Sequence, residues 1–95
     1  MANLAGKVAV VLGAAGEDNM GQHIARALAD AGAKVVVAGR NEDVLKKFAG
    51  LIAGDWAVCD ITHKQDVETL ARTTVEQHGK VDIAINATGW GLLKS

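Results

Sequence analysis

Val8-Ala9-Val10-Val11-Leu12-Gly13-Ala14-Ala15-Gly16-Glu17-Asp18-Asn19-Met20-Gly21 is the stretch on which the reading of this 95-residue chain turns. Together with Lys7, its first part is apolar and valine-rich, which suits a strand over 7–12 covered on both faces in a parallel sheet. Gly13, Gly16 and Gly21 then fall within nine positions, directly before a helical pattern, so the backbone can bend tightly and an anion can approach without meeting Cβ atoms. The first N–H groups of that helix lack intrahelical acceptors, and the helix dipole adds partial positive charge there. A pyrophosphate fits this chemistry, and the expectation is a nucleotide-binding turn.

Downstream, Ile24, Ala25, Leu28 and Ala31 recur at three- and four-residue spacing, with Gln22, Arg26 and Asp30 facing elsewhere, which predicts a helix over 21–31 stopped at Gly32. Lys34 to Ala38 is a second buried strand, separated from the first by the length a parallel crossover needs. Asn41 reads as an N-cap with Glu42 and Asp43 in the first turn, and Val44, Leu45, Phe48, Leu51 and Ile52 mark the apolar face of this second helix. Trp56 to Cys59 forms a third strand. Thr62 and Gln65 have the spacing of a capping box, and Val67, Leu70, Ala71, Thr74 and Val75 describe a third helix ending at Gly79. Val81 to Ile85 is the fourth strand. Alternating strands and helices predict an α/β, doubly wound parallel sheet, and the glycine turn after the first strand selects the Rossmann-like version with strand order 3-2-1-4. Segments 13–21, 39–41, 60–61 and 86–89 all fall at the carboxyl ends of predicted strands, where such sheets bind ligands.

Composition narrows the function classes. With 49% hydrophobic and 22% charged residues, the chain is expected to be one soluble domain over 1–95, and no apolar run approaches the roughly 20 residues of a membrane span. The N-terminus carries no basic segment followed by a long apolar core, so the expected location is cytoplasmic, with no membrane partner. A net charge of -1 with both signs interspersed offers no footprint for nucleic acid. Cys59 stands alone, which leaves no intrachain disulfide or cysteine-cluster metal site, and its apolar neighbours make it a buried strand thiol. His23, His63 and His78 lack metal-ligand spacing and read as surface or capping residues.

Four motifs stand in register: Gly6-Lys7-Val8-Ala9-Val10-Val11, Gly39-Arg40, Cys59-Asp60-Ile61-Thr62 and Val81-Asp82-Ile83-Ala84-Ile85-Asn86-Ala87-Thr88-Gly89. At these mutual distances they resemble the N-terminal, cofactor-binding half of the short-chain dehydrogenase/reductase family, and the likeness runs from Gly6 to Gly89. The resemblance implies a nicotinamide dinucleotide as cofactor and a small-molecule substrate of unspecified kind for the longer parent. Gly13 would make the tight turn, with Ala15 and Gly16 in the same loop, and Asn19, Met20 and Gly21 would open the helix under the pyrophosphate. Asp60 with Ile61 would bracket the adenine, and Asn86, Ala87 and Gly89 would line the ribose and nicotinamide side. The chain departs from the family's TGxxxGxG turn: Leu12 replaces the threonine, and Gly13 to Gly21 is two residues longer, as in some enoyl-reductase-like members. Ala87 and Thr88 stand where the family has Asn and Ala.

Cofactor choice follows from charge. The second strand ends Ala38-Gly39-Arg40, without the carboxylate that would hold a ribose 2′-OH and with an arginine suited to a 2′-phosphate, so NADP is expected over NAD. Arg40 also reads as a solvated surface arginine, Asp60 as a cap of its own loop and Asn86 as a bridge to the neighbouring strand. For the reduction step the resemblance implies a tyrosine, a lysine four residues later and a serine, and the sequence contains no tyrosine. The 95 residues are therefore expected to be the cofactor-binding portion of an oxidoreductase, incomplete relative to the family and unable to transfer hydride alone. The alternative is a non-catalytic nucleotide-binding or assembly module. The apolar fourth strand, left as a sheet edge, predicts self-association.

Overall fold

The computed structural model describes residues 3–14 and 20–87. In chain order these form β1 (Val8–Leu12), α1 (Met20–Asp30), β2 (Lys34–Gly39), α2 (Glu42–Leu51), β3 (Asp55–Val58), α3 (Lys64–His78) and β4 (Ile83–Asn86). The four strands make one parallel sheet in the order β3-β2-β1-β4, the topology read from the sequence.

Alternation along the two central strands divides the core. Ala9, Val11, Val35 and Val37 point to one side and pack with Ala25 of α1 and Leu45, Phe48 and Ala49 of α2. Val10, Val36 and Ala38 point to the other and meet Cys59 and Leu70, with Val67 and Val81 partly buried against them. The crossovers from β1 to β2 and from β2 to β3 carry α1 and α2 on the first face, and the return to β4 carries α3 on the second. The Arg26 guanidinium lies 5.9 Å from the centroid of the Phe48 ring and ties α1 to α2.

Element ends show where local rules were outbid. Asn41 caps α2 as expected, its Oδ1 accepting the Val44 N–H at 3.2 Å. The capping box expected at Thr62 and Gln65 does not form: α3 starts one residue later, His63 is its N-cap, and the Thr62 hydroxyl donates instead to Asp60 Oδ1 at 2.6 Å, a charged acceptor close at hand. Leu51, expected on the buried face of α2, is 68% exposed, and Ala49 is buried instead. Val75 of α3 is likewise exposed, because one helix over a narrow sheet buries only the line through Leu70 and Thr74. β4 begins two residues later than expected: Val81 packs under α3, and Asp82 joins β1 through its N–H to the Val8 carbonyl (2.8 Å) and its Oδ2 to the Val8 N–H (2.8 Å). His78 is not a surface residue, since its Nε2 lies 2.8 Å from Asp55 Oδ2 and its side chain is only 15% exposed.

Candidate functional site

Gly13 leaves β1 with a φ of 92°, a left-handed conformation that glycine adopts without Cβ strain. Its N–H and that of Ala14 both donate to the Ala38 carbonyl, at 2.8 and 3.1 Å, so the turn starts fastened to the end of β2. Ala14 is fully buried, and the Gln22 side-chain amide donates to its carbonyl at 2.8 Å, drawing the first turn of α1 onto the loop. Gly21 sits where any Cβ would come within 2.8 Å of the Gly13 carbonyl oxygen and 2.9 Å of the Ala14 backbone. Only glycine permits this approach of helix to strand. The first turn of α1 carries no acidic side chain to offset the positive end of the helix. A diphosphate is chemically suited to such a helix start, bare of Cβ at Gly21 and closely backed by the Gly13–Ala14 backbone.

The neighbouring strand ends converge on the same rim. Leu12 pairs in register with Ala38 on one side and Asn86 on the other, and the Ala87 N–H continues the ladder to the Leu12 carbonyl at 2.9 Å. Ala87 is buried and Asn86 closes β4, so both stand beside the glycine turn. On the other side, Arg40 follows the buried Gly39 and is exposed. The Cys59 N–H donates to the Gly39 carbonyl at 2.7 Å and delivers Asp60 and the half-buried Ile61 next to Arg40's strand.

Asp60 is held firmly. Its Oδ1 accepts both the Thr62 hydroxyl and the Thr62 N–H, and these two bonds, the hydroxyl first, keep its carboxyl below the ordinary aspartate range against a small desolvation cost, with His63 and Arg40 adding field. Arg40 and Asp60, placed apart in sequence, thus feel each other across the ends of β2 and β3. Burial, with help from Asp66 and Asp60, pushes the Cys59 thiol up, which suits an inert core sulfur rather than a nucleophile. Ala15, Gly16, Asn19 and Gly89 lie outside the described residues. Met20 opens α1. Among the described residues no group of three or more His, Cys, Asp or Glu could hold a metal ion, and no helix is long and apolar enough to cross a membrane.

The family model described as enoyl-(acyl carrier protein) reductase matches residues 13–94. The chain belongs to the short-chain dehydrogenase/reductase family. An uncharacterized oxidoreductase of Staphylococcus saprophyticus is 39% identical over 95 residues, covering 94% of this chain and 40% of its own length. Short-chain dehydrogenase reductase 3c of Arabidopsis thaliana is 37% identical over 89 residues, covering 90% of this chain and 34% of its own. Among solved structures, an actinorhodin polyketide ketoreductase with NADPH superposes with a TM-score of 0.78 at 32% identity, over 90% of this chain and 34% of that one. The chain thus spans about 40% or less of the length of these short-chain dehydrogenase/reductase relatives. Within the family fold, sequence reading passed over Ala14, Gln22 and Asp66. The polar Gln22 directly after Gly21, on the first helical turn, is the signal that could have found one of them.

Proposed function

We propose that these 95 residues are the NADP(H)-binding portion of a short-chain oxidoreductase, with NADP preferred over NAD. The observation that carries the preference is the end of β2: an exposed Arg40 directly after Ala38 and Gly39, with no carboxylate before it to hold a ribose 2′-OH. The ketoreductase with NADPH among the similar structures supports it. On this reading Gly13, Ala15, Gly16, Asn19, Met20 and Gly21 hold the diphosphate, Arg40 the 2′-phosphate, Asp60 and Ile61 the adenine, and Asn86, Ala87 and Gly89 the nicotinamide side. A bound nicotinamide would supply the hydride chemistry; this chain's own residues bind and orient it. With no tyrosine among the 95 residues, the tyrosine–lysine–serine set implied by the family resemblance has no counterpart here, and the chain alone binds without turnover.

Titration with NADPH and NADH, followed by nicotinamide fluorescence, tests both parts. Arg40→Ala weakens NADPH roughly ten- to a hundredfold, the worth of a charge-assisted contact, and leaves NADH nearly unchanged. Equal losses for the two cofactors overturn the preference, and a wild-type chain that binds neither overturns the nucleotide role.

A further inference from the structure

His63 occupies the N-cap of α3 without a side-chain cap bond. Asp66, in the first turn of that helix, could serve its N-terminus, yet it reaches out of the helix: its Oδ2 accepts the backbone N–H of Asp60 at 3.0 Å. The other groups of Asp60 are tied within its own loop, its carbonyl to the His63 N–H at 2.9 Å and its Oδ1 to Thr62. Its Oδ2 lies 3.9 Å from His63 Nδ1. The bond from Asp66 is the tie that reaches Asp60 from inside a helix; the Thr62 and His63 bonds can turn with the loop as one piece. Helix stability would be served equally well by an acid turned to its own terminal N–H groups. The carboxylate instead fixes a peptide at the end of β3, close to a second carboxylate.

We propose that Asp66 is a positioning residue for the adenine end of the cofactor: by holding the Asp60 N–H it sets the direction in which the Asp60 carboxylate and the Ile61 backbone face the ligand. This rests on the reading of the strand ends as a dinucleotide site. The two halves of the cofactor separate the effects, with 2′,5′-ADP and nicotinamide mononucleotide titrated by calorimetry against wild type, Asp66→Ala and Asp66→Asn. Asp66→Ala weakens 2′,5′-ADP about tenfold, the loss of one charged hydrogen bond, and speeds hydrogen exchange at the Asp60 amide, while nicotinamide mononucleotide stays within about twofold. Asp66→Asn, whose amide oxygen still accepts, keeps 2′,5′-ADP within about threefold. If Asp66→Ala does not fold, Asp66→Glu, which moves the acceptor by one methylene, shows the same selective loss. Unchanged 2′,5′-ADP affinity in a folded variant, or equal weakening of both halves, overturns the assignment. A wild-type chain that fails to bind 2′,5′-ADP overturns the nucleotide reading itself and this assignment with it, a result distinct from either of those.

Discussion

On the face under α1 and α2, Ala9, Val11, Val35 and Val37 lock with Ala25, Leu45, Phe48 and Ala49, none more than 5% exposed, whereas on the opposite face α3 buries Leu70 and Thr74 and leaves its own Val75 46% exposed. The same strands supply both faces through alternate residues, so the difference comes from the helices: two against one. Its consequence runs to the site. The turn at Gly13 and Gly21 is carried by the well-packed half, while the loop at Asp60 is held by polar ties to Thr62 and to Asp66 in the first turn of α3; at the opposite end of the sheet Asp82 ties the start of β4 to Val8. The turn end combines apolar burial with backbone ties to Ala38, whereas the Asp60 end leans on hydrogen bonds to Thr62 and Asp66, and solvent conditions act on the two differently.

Truncation tests the contrast most directly. Leu45→Ala removes a fully buried side chain from the tighter face and costs about 4 kcal/mol, whereas Leu70→Ala, on the face covered by α3 alone, costs about 2 kcal/mol, as read from urea midpoints at constant slope. Equal losses would abolish the distinction between the faces. Acid sharpens it next. Asp82 accepts the Val8 N–H, and that bond, followed by Lys80 and Lys7, holds its carboxyl below the ordinary aspartate value of 3.8; Asp60 is lowered in the same direction by Thr62. A carboxyl with a lowered folded pKa stabilises the fold above its ordinary value, and that contribution is lost as pH falls through the folded one. Hydrogen exchange at the Val8 and Thr62 amides therefore accelerates below pH 3.8 before that at Val35 and Val37, and Asp82→Asn removes the pH dependence at Val8. The smallest effect is at Leu51, 68% exposed on α2, where Leu51→Lys changes the unfolding free energy by less than about 0.5 kcal/mol.

The period of the apolar residues made the architecture legible in the sequence. Valine runs without polar alternation announced buried parallel strands, three- and four-residue spacing announced helices, and their order gave the 3-2-1-4 sheet. The glycine turn was legible for a steric reason, since Gly13 and Gly21 stand where a left-handed φ and a close backbone approach demand them. What escaped was decided by competing acceptors, by partners distant in sequence, or by which helical residues found cover. Thr62 has the letters of a capping residue, but Asp60 captures its hydroxyl; His78 meets Asp55 only after α3 has crossed the sheet; Leu51 and Val75 carry the right period but stay exposed on their helices. Asp66 was invisible as a loop anchor because its bond runs backward by six residues, a spacing that matches no capping rule.

Both borders of the glycine turn are clamped independently of what lies between them, Gly13 by the Ala38 carbonyl and Gly21 by contact with Gly13 and Ala14. Against the TGxxxGxG pattern the interval is longer by two residues, which by loop-closure entropy costs only about 0.3 kcal/mol. Insertion there is close to neutral for folding, so natural variation can alter the reach and charge of this segment while the scaffold beneath stays unchanged.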